Sequence, residues 1–199
     1  MAVTSIDYQP FAEQHEGKIA WMYLDTVGKV TVGIGHMIPT ADAAAAIPFV
    51  DGSGQQASPD AIRAAYAAVQ GAQSMVGRVA SAFQSLTSIR LDDAGTAAVF
   101  AGDFAGIVGR TRTLFQAVGG GLDSYPDPAQ LAVIDMAFNL GPDGLYSKFP
   151  SFRTKGLAPR AYDVAAQQCR RGGISDARNQ WTFDQLMAAA KLEAAGKQA

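Results

Sequence analysis

The segment Pro128–Leu140, PAQLAVIDMAFNL, is apolar on nearly every side when wound into a helix. A surface helix carries an apolar stripe and a polar face, so one that is apolar all round has to be enclosed by other elements. This chain must therefore supply a shell, and the flanking sequence predicts a helical one. Leu91-Asp92-Asp93 opens a long helix with Asp92 as its cap, running through AAVFAGDFAGIVGRTRTLFQAV and ended by Gly119-Gly120-Gly121. No strand precedes that triplet and no Lys-Ser/Thr follows it, so it is read as a helix stop and not as a phosphate cradle. Gly141-Pro142 is expected to stop the central helix. Shorter helices are predicted over Leu145–Phe152, Ala158–Arg170 and Asp176–Ala195, with Gly172-Gly173 between the last two.

The N-terminal third reads differently. Residues 5 to 16 predict a short helix capped by Ser5, with Tyr8, Phe11 and Ala12 on one face, Pro10 tolerable only near the first turn, and Gly17 as the stop. From Ala20 the period changes to two: Trp21–Leu24 and Val30–Ile34 are β-rich runs around the turn glycine of TVGK, which makes a hairpin. Residues 37–57 hold two prolines and a Gly/Ser/Gln cluster, and are read as an irregular, mobile surface segment. Ser58-Pro59-Asp60 starts a further helix that runs past Val69. The expected fold class is α+β, mostly α. One domain spans 1–199, with a hairpin lobe over about 12–60, a helical lobe over about 91–199 and a cleft between them.

Composition removes several functions. A chain of 199 residues, 48% apolar and without an 18-residue apolar run, is neither disordered nor membrane-spanning. A net charge of −2 and a pI of about 5.6 argue against a nucleic-acid binder and against a polybasic membrane patch. The single Cys169 permits no disulfide framework and is expected to be a small buried hydrophobe; the Arg170–Arg171 pair is read as a solvated helix end. His15 and His36 lack metal-ligand spacing, so neither metal nor cofactor is expected. The N-terminus MAVTSIDYQPF has no basic region followed by an apolar one, which predicts synthesis in the cytoplasm without a secretory signal.

Chemistry concentrates in HEGKIAWMYLDTVGKVTVGIGH, His15 to His36. Glu16, at a helix C-terminus near Ile19 and Trp21, is expected in a desolvated setting that favours a proton donor. Asp25, at the end of the first strand beside the turn, should be wetter and ionised. Thr31, on the returning strand, offers a hydroxyl to hold a water for Asp25 to activate. Two carboxyls in unlike environments form the pattern that splits a glycosidic bond. Gly33 and Gly35 are candidate substrate contacts, where a missing side chain lets sugar approach backbone, and Asn139 at the end of the central helix is a third. His36 is expected to pair with Asp103, the one acid inside AAVFAGDFAGIV.

The spacing E-x8-D-x5-T followed by VGIGH resembles the catalytic signature of phage-type lysozymes, the family 24 glycoside hydrolases. VFAGDFAGIVGRT, QLAVIDMAFNLG and GISDARNQWTFDQL look like that family's connecting, central and late arginine-bearing helices. The resemblance implies a lysozyme-like fold, with Glu16 as catalytic acid, Asp25 as second carboxylate and Thr31 as the water-positioning threonine. It places Arg178 on the late helix, where it is expected to reach back to Glu16. The implied activity is cleavage of the β-1,4 bond between N-acetylmuramic acid and N-acetylglucosamine in peptidoglycan, with inversion. A monomer is expected, acting on glycan strands of the wall after release by a holin or delivery as an antibacterial effector, with an immunity protein or delivery apparatus as further partners. Neither nucleic acid nor membrane insertion is implied. Residues 37–90 are longer than in compact members and match no motif, and the acidic pI departs from the basic enzymes of this kind. A lytic transglycosylase, which works with a glutamate alone, and a catalytically silent glycan-binding or tail component are the competing readings.

Overall fold

A computed structural model describes residues 3–196. The chain is mostly helical with one small three-stranded antiparallel sheet, the α+β, mostly-α class expected from sequence. It divides into two compact units. One holds residues 9–103; the other joins the N-terminal residues through Tyr8 to the chain from Phe104 onward.

Helix α1 (Ser5–Glu16) runs through Pro10 and is turned by Gly17 at φ 79°. The expected cap, Ser5, is already in the helix and its side chain lies outside the described residues; Thr4 caps instead. Thr4 Oγ1 accepts from the Asp7 backbone N–H, while the Thr4 amide and hydroxyl both donate to the Asp7 carboxylate, at 2.9 and 2.6 Å. In the unit over 9–103 follow β1 (Ile19–Leu24), β2 (Val30–Gly33) and β3 (His36–Met37), in that spatial order. Tyr23 pairs with Thr31 and Leu24 with Val30, and an irregularity between Ile19 and Tyr23 bends the start of β1. Strand alternation sends Met22, Leu24, Val30 and Val32 into the core of this unit, which leaves Tyr23, Asp25 and Thr31 on the opposite face.

The largest departure from sequence is the stretch 37–57, expected to be irregular and mobile. It begins with the last residue of β3 and contains a short helix α2 (Ala41–Ala45) capped by Thr40, and Val50 is bridged to both Gln56 and Arg90. Ile38, Ala44, Ile47, Phe49 and Ala57 are all buried in the core. Prolines and glycines set the corners of this path, but the apolar residues between them pack against helix α3 (Pro59–Gly71) and the sheet. Helix α3 is capped by Ser58, as expected, and presents Ile62, Ala65, Tyr66 and Val69 inward at spacings of three and four. Two 3-10 turns over 73–86 follow, with Phe83 buried and the Ala80 carbonyl accepting from Trp21 Nε1 at 2.8 Å.

Helix α4 (Asp93–Phe115) is capped by Asp92, whose carboxylate accepts the Gly95 amide at 2.6 Å. In the other unit, α5 (Asp127–Leu140) is buried almost all round, as its sequence demands. Gly141, at φ 70°, ends it, and Pro142 does not merely stop α5 but serves as the first residue of α6 (Pro142–Lys148). The helix expected over Ala158–Arg170 is shorter, α7 (Tyr162–Gln167), preceded by a π-helical turn over Phe152–Leu157; Pro159 and a left-handed Arg160 (φ 58°) separate the two. Helix α8 (Asp176–Gly196) packs on α5 and α7. Cys169 is buried and donates to the Ala166 carbonyl. Among the described residues no helix is long and apolar enough to cross a membrane.

Candidate active site

Asp25 closes the β1–β2 hairpin. Its amide donates to the Lys29 carbonyl, its own carbonyl accepts from Gly28, and one carboxylate oxygen, Oδ1, accepts the amides of Val27 and Lys29 at 2.9 and 2.8 Å. This is an Asx-type turn, which gives an aspartate at this position a structural reason of its own. It also fixes the carboxylate and leaves Oδ2 with no hydrogen bond among the described residues. Thr31 is 4% exposed, and its hydroxyl has a single long contact, 3.3 Å to the Lys29 carbonyl.

Glu16 enters from the end of α1. A Cβ added to Gly35, in the turn between β2 and β3, would lie 3.9 Å from the Glu16 Cβ, so the acid stands against that turn. Its environment reverses the expectation from sequence: Glu16 is exposed and Asp25 is half-buried. The residues expected to cover Glu16, Ile19 and Trp21, are themselves only half-buried on the bent start of β1, and Trp21 is tied to Ala80.

The two glycines separate. Both have positive φ, 65° at Gly33 and 73° at Gly35, which favours glycine for backbone reasons alone. Gly33 is buried beneath Leu91 and Thr96, so the expected sugar contact there is withdrawn; Gly35 is exposed and stays a candidate.

Tyr23 is the residue sequence reasoning passed over. It lies opposite Thr31 and two residues before Asp25, hence on their face of the sheet. Burial, then the negative charges of Asp25 and Glu16, push its phenol above the ordinary range. Position i−2 from a candidate acid on a strand was the available signal.

The His36–Asp103 contact expected from sequence is present, with Nδ1 at 2.9 and 3.0 Å from the two carboxylate oxygens. A carboxylate can only accept, so Nδ1 carries the hydrogen. Both side chains are partly exposed, which limits the value of the pair. Asp103→Ala is expected to cost about 1 kcal/mol or less, with the difference from the parent shrinking in high salt as screening takes effect; thermal melts at two salt concentrations check this.

Asn139 and Arg178 belong to the other unit. Asn139 is half-buried in the last turn of α5. Arg178, at the start of α8 where Ser175 accepts its amide, is buried, with Nε and Nη2 2.9 and 2.8 Å from Asp135. Arg171, read from sequence as a solvated helix end, is likewise buried; its Nη2 lies 2.6 Å from Asp135 and 2.6 Å from Thr182 Oγ1. Only Arg170 matches that reading, exposed and paired with Asp176. The lone acid inside PAQLAVIDMAFNL draws Arg171 in, and the rule that picked Asp103 out of an apolar helix would have picked Asp135 as well.

Among the described residues no three His, Cys, Asp or Glu side chains gather where they could hold a metal ion. Compared with protein-family models, curated proteins and solved structures, the chain matches none of them.

Proposed function

We propose that this protein is a peptidoglycan hydrolase of the muramidase type, cleaving the β-1,4 bond between N-acetylmuramic acid and N-acetylglucosamine. The observation that carries the reading is the arrangement of the E-x8-D-x5-T residues in one unit. A fixed half-buried carboxylate and a threonine share one face of a small sheet, and an exposed glutamate stands against the adjoining turn.

In this reading Glu16 is the general acid that protonates the leaving oxygen. Asp25, anchored through Oδ1, uses Oδ2 to accept a proton from a water oriented with the help of Thr31, and the water attacks the opposite face of the sugar. Because Glu16 is open to solvent in the free protein, the desolvation that suits a proton donor comes from the glycan itself when it covers the site. Gly35 lets a sugar come close to backbone. Asn139 as a glycan contact and Arg178 as a partner of the acid are the parts of this reading carried by the resemblance alone.

The test is loss of turbidity by purified peptidoglycan together with mass spectrometry of the products. Reducing-end products without anhydro-sugars support the hydrolase. Anhydro-sugars would replace it with a lytic transglycosylase, and binding without lysis would leave a silent glycan-binding module. The presence of Asp25 and Thr31 favours the hydrolase, since a transglycosylase needs the glutamate alone.

A further inference from the structure

We propose that Tyr23 is a substrate-binding residue of this site: its phenol O–H, held on the sheet face of Asp25 and Thr31, donates a hydrogen bond to the glycan at the bond being cleaved. This rests on the muramidase reading and deepens it.

The placement follows from the register. Tyr23 faces Thr31 across the β1–β2 ladder, and strand alternation carries Asp25 to the same side, opposite to Met22, Leu24, Val30 and Val32, while the half-buried Tyr23 side chain also packs against the core cluster of this unit. The hydroxyl is uncommitted. It makes no hydrogen bond among the described residues, and because Tyr23 is only half-buried the oxygen is not enclosed without a partner, which leaves it available to a ligand. Tyr66, the other tyrosine of this unit, is buried and committed: its hydroxyl lies 3.4 and 3.2 Å from the Ile38 and Pro39 carbonyls. Asp25, the nearest acceptor by sequence, does not take it: Oδ1 accepts the Val27 and Lys29 amides and Oδ2 makes no hydrogen bond among the described residues.

Electrostatics keep the phenol able to donate. Burial and the two flanking carboxylates all resist ionisation of the phenol, so it remains a neutral donor across the working pH range. A donor that stays neutral, within electrostatic reach of both the carboxylate that must give a proton and the one that must take it, can hold a sugar oxygen without entering the proton transfers. A second acid there would compete for the proton, and a lysine would neutralise one of the carboxylates.

Tyr23→Phe removes only the oxygen, and comparing its steady-state kinetics on purified peptidoglycan with those of the parent across pH tests the proposal. A fall in kcat/KM of roughly tenfold to a hundredfold is expected, the range for removing one hydrogen bond to substrate. The acid and alkaline limbs of the profile should keep their positions and the melting temperature should stay near the parent value, because the ring still packs and no charge changes. A kcat/KM within about twofold of the parent would overturn the proposal, as would an effect seen only as a displaced pH limb, which would make Tyr23 a modulator of the carboxylates. If the parent itself releases no glycan fragments, the muramidase reading fails and takes the Tyr23 role with it. If the parent lyses wall and Tyr23→Phe lyses it equally well, only the Tyr23 role fails.

Discussion

Glu16→Gln is expected to lower wall lysis by roughly 10²- to 10⁴-fold, the contribution of a positioned general acid, while the protein melts at the parent temperature or slightly above. The second half of the expectation comes from the setting. Glu16 is exposed at the end of α1, so the amide replaces a carboxyl that fills no cavity in the core. Surface changes of this kind usually stay within about 0.5 kcal/mol, and removing an active-site acid often stabilises. Residual activity above about a tenth of the parent would remove Glu16 from the acid's role, because no general acid is dispensable to that degree. Asp25→Asn is the matching control. An asparagine carbonyl can still accept the Val27 and Lys29 amides, so the hairpin turn survives while the charge is lost. Lost activity with an unchanged melt would then report on the reaction and not on the turn.

Period and punctuation carried most of the fold. The all-round apolar character of Pro128–Leu140, the caps Ser58 and Asp92 and the switch to period two at Ala20 correspond to α5, α3, α4 and the β1–β2 hairpin because each is decided within a few residues. The stretch 37–57 was misread because its prolines and glycines are local signals, whereas the burial of Ile38, Ile47 and Phe49 depends on α3 and the sheet, which lie outside any short window. The site divides the same way. Spacing brought Glu16, Asp25 and Thr31 into view, and strand alternation alone would have added Tyr23. The solvent exposure of Glu16 was not legible, since Ile19 and Trp21, the apolar neighbours expected to cover it, are themselves only half-buried. Nor was the covering of Gly33, which comes from Leu91 and Thr96, about sixty residues away in the chain. Arg171 was assigned to solvent because charged pairs near a glycine run usually are; only the acid on α5 overrides that, and the two lie 36 residues apart.

The largest loss of stability is expected from Asp135→Ala, about 3–5 kcal/mol, the usual cost of removing one partner from a buried ion pair. Asp135 is wholly buried and is the hub of its unit. Oδ1 accepts from the Tyr8 hydroxyl at 2.9 Å and from Arg178 Nε at 2.9 Å; Oδ2 accepts from Arg171 Nη2 at 2.6 Å and Thr182 Oγ1 at 3.0 Å. These bonds tie α5 to α1, to α8 and to the Arg171 segment before it. Burial and the carboxylate push the Tyr8 phenol well above its ordinary range, so Tyr8 is a permanent donor here. Alanine strips this acceptor from four donors at once and leaves the Arg171 side chain, itself fully buried, without the carboxylate that balances its charge. For a chain of this size the loss corresponds to a melting temperature lower by roughly 6–20 °C. Tyr8→Phe should cost only about 1 kcal/mol, since one neutral donor is lost and both guanidinium bonds remain. That contrast separates the two components of the network: a charge that must be matched, and hydrogen bonds that merely fill its remaining lone pairs. Equal melting points for Asp135→Ala and Tyr8→Phe would show that the guanidiniums do not need this carboxylate. A fall several times larger for Asp135→Ala would make the buried acid of the central helix the residue that commits α8 to its place.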